Sequence, residues 1–487
     1  MPDTHIAFDE TAQPVDSGPL VVDLDGTLLR TDMLYETFWS ALSRDWRNVL
    51  PVVSALPQGR AVLKRRLQSL GPVDPATLPY NDAVLDRVAA YREAGGRTVL
   101  ASASDERVLE PIARHLDLFD EVHGSDGTRN LKGPEKAAHL VDRFGRGGFT
   151  YLGDSRADLP VWTEAGRAVI VDASDRLAAR AAHVAPAVER LDSGADPVRG
   201  LIRAMRPHQW LKNALVFVPM LAAHQLDLLT LGQAMLAFVC YSLIASAVYL
   251  LNDLLDLAAD RAHPRKRLRP FASGAVPLAW GTMLAPGLLV AGLALAAVLG
   301  PAFLGVMALY FAVTTAYSLA LKRMLVIDIC TLAALYTLRI VAGGVATGIP
   351  LSVWLLAFSM FFFLSLAAMK RQTELVSGSA EGKTAVSGRG YVTTDLALVA
   401  NMAVSAGYVS VLVMALYLNT GAVRQLYTET APLWGICLVL LYWISRMVMI
   451  AHRGQMHDDP VVFAARDRVS LACGALIAGC AVAGAVW

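Results

Sequence analysis

Two groups of aspartates in this chain have a spacing that suits chemistry. In "VVDLDGTLLRTD", Asp23 and Asp25 alternate at the end of an apolar run. On a strand both side chains project to the same side. A carboxylate pair there can hold Mg2+ through oxygen; one member can attack phosphorus while the other protonates the leaving group. "VLASASDERV" ends a second apolar run with small hydroxyls suited to a phosphoryl oxygen. "LKGPEKAAHL" offers Lys132 and Lys136 to neutralise transferring charge, and "YLGDSRADLP" adds Asp154 and Asp158 as further metal ligands. The second group is "NDLLDLAADRAHPRKRLRP", residues 252–270, directly after the apolar run "LGQAMLAFVCYSLIASAVYLL". Asp253, Asp256 and Asp260 are spaced i, i+3, i+7, one face of a helix, with Asn252 beside them. An acid at the bilayer centre costs about 2.5–3.5 kcal/mol, and adjacent acids repel. A solvated helix end would explain why they are tolerated, but not why they line up. Mg2+ explains the alignment, because it takes carboxylate oxygens together with substrate phosphate oxygens. The bases that follow (Arg261, Arg265, Lys266, Arg267, Arg269) would receive the remaining phosphate charge.

Elements must hold these residues in place, and composition says of what kind. The chain has 487 residues, 55% hydrophobic and 17% charged, against roughly 25% charged in soluble proteins; its mean hydropathy is +0.45. The deficit of charge begins near residue 210, where apolar runs of spanning length start to recur. The expected organisation is a soluble domain at 1–175, a linker at 176–205 and a membrane domain at 206–487. In the first, "PLVVDLDGT", "RTVLASAS", "FDEVHGSD", "FTYLGDS" and "AVIVDAS" read as parallel strands alternating with helices, an α/β Rossmann-like sheet with its chemistry at the strand carboxyl ends. Residues 33–90 read as a small helical cap. The second domain reads as all-α and polytopic, with about nine transmembrane helices centred near 211–227, 231–252, 277–299, 302–321, 324–347, 350–369, 394–419, 431–451 and 469–486. Pro219 and His224 interrupt the first. Basic residues crowd the loops after even-numbered segments, and only Arg424 stands out in the others, so those loops and the soluble domain are expected on the cytoplasmic side of the inner membrane. The five cysteines sit in apolar runs and read as small buried hydrophobes. No apolar secretory stretch is visible in the first 20 residues. A net charge of +1 without a basic tail gives no reason to expect a nucleic-acid partner.

The four motifs of the first domain, in this order, resemble the haloacid dehalogenase (HAD) superfamily of phosphohydrolases. The resemblance implies Asp23 as nucleophile, Asp25 as acid/base, Ser102 on the phosphate, and Asp23, Asp154 and Asp158 as ligands of Mg2+. Lys136, which opens a helix, is the preferred lysine, with Lys132 as the alternative. The stretch from Asn252 to Pro270 resembles the NDxxDxxxD motif of the UbiA superfamily of intramembrane prenyltransferases, a nine-helix fold. That resemblance implies Mg2+ on Asn252, Asp253, Asp256 and Asp260 holding a donor diphosphate, with a lipid chain in a groove open to the bilayer. The loop after the sixth segment carries Lys370, Arg371, Glu374, Arg389 and Tyr391 but lacks the second Asp-rich motif of most prenyl-diphosphate users. With "RPHQWLKN", "YSLALKRMLVID", "KRQTEL" and "HRGQMHDDPVVFAARD", the chain resembles the decaprenyl-phosphate phosphoribosyltransferase branch. That branch implies 5-phosphoribosyl pyrophosphate (PRPP) as donor and a polyprenyl phosphate as acceptor.

On this reading Asp253 and Asp256 serve catalysis by drawing charge from departing pyrophosphate, and Lys212, Asn213, His263, Lys266, Arg269, Lys322, Asp328, Lys370, Arg371, Glu374, Arg389 and Tyr391 contact substrate. For the lysines, plain positive-inside anchoring is the competing explanation. Asp328 and Arg339 share one apolar segment about 16 Å apart along a helix, too far to pair directly, and Arg446 is similarly placed. His452, His457, Asp458, Asp459 and Asp467 read as a lid or an interfacial loop. The hydrolase domain would remove the 5-phosphate left on the transferred ribose. Two alternatives stay open: prenyl transfer to an aromatic acceptor with a regulatory hydrolase domain, and a membrane transporter. The reading does not fix the oligomeric state, a homo-oligomer included.

Overall fold

The computed structural model describes residues 18–125, 130–192, 194, 196–384, 389–456 and 459–486. These divide into two compact units, Met1–Met205 with Leu250–Leu284, and Arg206–Tyr249 with Ala285–Trp487.

The first unit is built on β1 (Leu20–Val22), β2 (Thr98–Asp105), β3 (Glu121–Ser125), β4 (Thr150–Gly153), β5 (Arg167–Val171) and β6 (Val188–Leu191). All pair in parallel, in the order β3-β2-β1-β4-β5-β6. Alternate residues feed opposite faces. Leu20, Val22, Leu100, Leu152 and Val169 enter one apolar core, while Val21, Val99, Tyr151, Ala168 and Ile170 enter the other. Burial on both faces is why these strands read as continuous apolar runs. Between β1 and β2 lie α1 (Met33–Arg44), α2 (Val49–Ala55), α3 (Arg60–Leu70) and α4 (Asp82–Glu93). The first three form the cap, and α4 returns to the sheet through fully buried Val84 and Val88. Asp32 caps α1, accepting from the Leu34 N–H at 2.7 Å. Then come α5 (Glu106–Leu116), α6 (Pro134–Phe144), α7 (Leu159–Glu164), α8 (Asp175–Val184) and α9 (Pro197–Ala204). Residues 176–205, expected as a linker, instead hold most of α8, the sixth strand and α9. Val188–Leu191 is a sheet edge, and its Glu189 and Arg190 hide the strand from an apolar pattern.

Among the described residues eight helices are long and apolar enough to cross a membrane. They are α11 (Leu228–Leu255), α13 (Leu278–Val298), α14 (Pro301–Leu319), α15 (Ile327–Thr347), α16 (Val353–Ala380), α17 (Leu396–Leu418), α19 (Trp434–His452) and α21 (Arg468–Val486). The expected first span of nine differs. Its place is taken by a 3-10 helix, Pro207–Phe217, followed by the five-residue α10 (Val218–Ala222) with Pro219 in its first turn. Proline lacks the N–H that a longer α-helix would need. Short helices complete the chain: α12 (Leu257–Arg261), α18 (Gly421–Leu426) and α20 (Pro460–Ala464).

Candidate functional sites

The carboxyl ends of β1, β2 and β4 gather the first group of acids. Gly26 turns the chain after β1 at φ +79, and a Cβ there would lie 2.2 Å from Asp154 Oδ2, so the position needs a glycine. Carboxylate oxygens of Asp23, Asp154 and Asp158 lie within 4.8 Å of one another. Lys136, on the first turn of α6, donates to Asp23 Oδ1 at 2.8 Å and to the Tyr151 hydroxyl at 2.8 Å; Lys132 is exposed. Tyr151 donates to Asp158 Oδ1 at 2.9 Å, and the Ser155 N–H and hydroxyl donate to Asp158 Oδ2 at 3.0 and 2.9 Å. Burial raises the Asp23 carboxyl to about 6 against the pull of Lys136. Burial, then the neighbouring acids Asp158 and Asp23, raise Asp154 to about 8. Three such desolvated carboxylates outnumber the single positive charge that Lys136 brings, and the donor set fits Mg2+. Asp158, with both oxygens already engaged, is the most constrained of the three.

Asp25 is held differently. Its Oδ1 accepts from the Met33 N–H at 2.8 Å and its Oδ2 from the Ser104 hydroxyl at 3.0 Å. Burial, then the Asp32 charge, raise it to about 7, so near neutral pH it can carry a proton for a leaving group. Ser102 is buried, and its Oγ accepts from the Ser104 N–H at 3.1 Å. Ser104, the second of the small hydroxyls expected at this strand end, is thus the one that meets Asp25. Tyr151 has no sequence signal beyond its place three residues before Asp154.

The second group of acids sits where α11 ends at Leu255 and α12 begins after Asp256, whose side chain makes no capping bond. Backbone bonds from Asp256 to Asn252 and from Asp260 to Asp256 keep the path helical. Asp253 and Asp260 are buried, Asn252 and Asp256 half-buried. Arg269 Nη1 lies between the buried pair, 3.1 Å from Asp253 Oδ1 and 2.7 Å from Asp260 Oδ2. Among the described residues only Asp23, Asp154 and Asp158 reach metal-holding spacing, so the expected four-ligand set is not gathered around one point. The guanidinium nevertheless marks the place as one that favours a cation. His263 Nδ1 accepts from the Arg265 and Lys266 N–H groups, which makes it a turn-former, and Lys266 is exposed.

In the second unit the Asp459 carboxylate draws in Lys212 at 2.8 Å, Lys370 at 3.0 Å and the Tyr336 hydroxyl at 3.0 Å. Burial alone would raise Asp459; the two ammonium groups outweigh it and hold the carboxyl well below the usual range. Arg339 donates through Nε to Asn213 Oδ1 at 3.0 Å and lies over the rings of Tyr241, Tyr310 and Tyr336 at 5.3, 5.3 and 5.5 Å. Lys212, Lys370 and Arg339 against Asp459 leave a surplus of two positive charges. A second network centres on fully buried Asp328. Arg371 Nε is 2.6 Å away, an ion pair whose N–H does not point along a hydrogen bond. The Tyr317 hydroxyl donates to Asp328 at 2.7 Å and Arg389 is 3.3 Å away. Glu374 pairs with Arg371, and the Tyr391 hydroxyl accepts from the Val326 N–H. Lys322 lies in the short turn Leu321–Arg323. Arg446 pairs twice with Asp467. His457 and Asp458 lie outside the described residues.

With this geometry in place, residues 214–466 match the UbiA prenyltransferase family and residues 20–162 match the haloacid dehalogenase-like hydrolases. The chain is 37% identical over 463 residues to a Sinorhizobium fredii protein, y4nM, covering 94% of this chain and 90% of that one. It is 40% identical to the nodulation protein NoeC of Azorhizobium caulinodans, over 57% of this chain and 90% of that one. It is 38% identical to the decaprenyl-phosphate phosphoribosyltransferase of Corynebacterium glutamicum, over 49% of this chain and 73% of that one.

Proposed function

Since the chain belongs to the UbiA prenyltransferase family and carries a haloacid dehalogenase-like hydrolase domain ahead of that region, we propose that this multi-pass membrane protein transfers 5-phosphoribosyl from PRPP to a polyprenyl phosphate and then removes the 5-phosphate. The observation that carries the choice of donor and acceptor is the stretch after the sixth expected segment. It offers Lys370, Arg371 and Arg389 where prenyl-diphosphate users place further acids. Two surplus positive charges around Lys212 and Lys370 suit a lipid phosphate. The likeness to a decaprenyl-phosphate phosphoribosyltransferase supports the same reading.

In the transfer, an acceptor phosphate oxygen forms a bond to ribose C1 as the C1–oxygen bond to pyrophosphate breaks. The acceptor is already an anion, so the step needs no strong base; orientation and electrostatics supply the rate. Asp253, Asp256 and Asp260 do not converge on one point here, and Arg269 stands between two of them; they are the acids that Mg2+ carried by the donor's pyrophosphate would meet, and the ion would draw charge from the leaving group. In the hydrolase domain Asp23 attacks the 5-phosphorus while Asp25 gives its proton to the departing ribose oxygen. Asp25 then takes a proton from the water that cleaves the aspartyl phosphate. Ser102 would bind the phosphoryl group and Lys136 would balance its charge. Asp23, Asp154 and Asp158 would hold Mg2+, which would neutralise the phosphoryl oxygens. Both sites would face the cytoplasm, where PRPP is made.

The test is mass spectrometry of lipids formed by the full chain from PRPP and polyprenyl phosphate. The D23N variant should accumulate the 5-phosphorylated lipid, and wild type should yield the dephosphorylated one. Identical product mixtures would refute the coupling; transfer from labelled prenyl diphosphate but not from labelled PRPP would refute the donor.

A further inference from the structure

We propose that helix α1 of the hydrolase domain is a positioning element for the acid-rich loop of the transferase, with Glu36 and Trp39 as its positioning residues. The inference rests on the reading of that loop as the donor's pyrophosphate site. Arg261, the last residue of α12, uses all three of its guanidinium nitrogens. Nη1 and Nη2 donate to the two carboxylate oxygens of Glu36 at 3.0 and 2.6 Å, and Nε donates to the Ala272 carbonyl at 3.0 Å. Both side chains are buried, at 7% and 3% exposure. One turn along α1, Trp39 Nε1 donates to the Thr282 hydroxyl at 2.9 Å. Gly274, at φ +71, brings the loop so near Arg30 that a Cβ would sit 2.5 Å from the Arg30 Cβ. Phe271 is fully buried, against the space left by Gly281. The loop is thus fastened at Arg261, Phe271, Ala272 and Gly274, and the start of α13 just after it at Thr282. Between the first two fastenings it carries Arg269, the residue that bridges Asp253 and Asp260.

A contact made only to hold two domains together has no need of this chemistry. A buried ion pair returns little net stability for its desolvation, whereas a two-pronged guanidinium–carboxylate fork fixes orientation. The fork therefore sets where the loop, and with it Arg269, stands relative to the two buried aspartates. The same helix begins at the hydrolase site, where the Met33 N–H holds Asp25.

The experiment titrates Mg2+ with inorganic pyrophosphate into the full chain by calorimetry. The D23N background prevents the hydrolase from consuming the probe. E36Q should weaken pyrophosphate binding about tenfold, ~1.4 kcal/mol, and raise the donor KM by the same factor while leaving kcat nearly unchanged. R261K keeps the charge and loses the fork, and should weaken pyrophosphate binding in the same direction. W39F should shift affinity in the same direction by about twofold to threefold. R261K and W39F keep the idea testable if E36Q does not fold. Lowered thermal stability with wild-type pyrophosphate affinity in all three variants would overturn the inference. A wild-type chain with no affinity for Mg2+–pyrophosphate would overturn both the inference and the reading of the acid loop. Use of prenyl diphosphate in place of PRPP, with the calorimetry as expected, would overturn only the proposed donor and would uphold the inference.

Discussion

Replacing Lys136 with methionine tests the hydrolase site where its electrostatics are most lopsided. Asp23, Asp154 and Asp158 crowd within 4.8 Å, and Lys136 faces them 2.8 Å from Asp23 and 3.9 Å from Asp158. Its side chain is 4% exposed, so water does not take over when the ammonium is removed. Breaking a buried pair from one side costs about 3–5 kcal/mol. For a domain of this size that is a fall of about 6–20 °C in the thermal midpoint with chelator present. Mg2+ restores positive charge to the same oxygens, so the deficit should shrink when the ion is added. Turnover should not recover, because on the proposed mechanism the charge that Lys136 would lend to the phosphoryl group would be worth about a hundredfold to a thousandfold in kcat. Scanning fluorimetry of the detergent-solubilised chain, with chelator and with Mg2+, reads the first effect. Hydrolysis of para-nitrophenyl phosphate reads the second. An unchanged midpoint in chelator, with kcat reduced less than about tenfold at saturating Mg2+, would refute the reasoning.

The raised carboxyls set a pH dependence. Asp23 and Asp154 rise from 3.8 to about 6 and about 8, so without metal the folded chain binds more protons than the unfolded one. Stability in chelator should therefore fall as pH rises from about 4 to 8, and the midpoint gained on adding Mg2+ should be larger at pH 8 than at pH 5; equal gains would count against the crowded-acid account. D25N should cost about 10²–10⁴ in kcat on an alkyl phosphate and far less on para-nitrophenyl phosphate, whose leaving group needs no proton; equal losses would remove Asp25 as the acid. K212M should raise the KM for polyprenyl phosphate about tenfold to a hundredfold, the worth of a charged hydrogen bond, without changing the donor KM; a shift in donor KM alone would reassign Lys212. G343A places a Cβ 2.1 Å from the Val216 carbonyl oxygen and should destabilise the chain by about 1–3 kcal/mol, read as a lowered thermal midpoint.

The hydrolase motifs were legible because each is local: acids at strand ends, hydroxyls at strand spacing, and a lysine just inside a helix that Gly133 and Pro134 begin. The acid-rich stretch was legible as a helix face, but its main partner, Arg269, arrives through a loop that turns back on itself. Of the rings around Arg339 only Tyr336, three residues earlier on the same helix, was legible; Tyr241 and Tyr310 come from two other helices. The sixth strand escaped notice because an edge strand can afford charged residues that a central one cannot. Gly274 and Arg30 are 244 positions apart, and a close approach of that kind belongs to tertiary packing alone.

The 3-10 helix Pro207–Phe217 obeys a different ruler from the rods around it. Rising about 2.0 Å per residue, its eleven residues run about 22 Å, where an α-helix of the same length would run about 16 Å. With three residues to the turn, Trp210, Asn213, Val216 and Pro219 stack on a single edge. Trp210 and Asn213 donate to Ser246 and Ser242, one turn apart on α11, while Val216 and Pro219 press on Gly343. A scan tuned to a period of 3.6 slides off such a seam. Inserting one residue would swing the edge by about a third of a circle, whereas inserting three would leave it in register and only lengthen the rod.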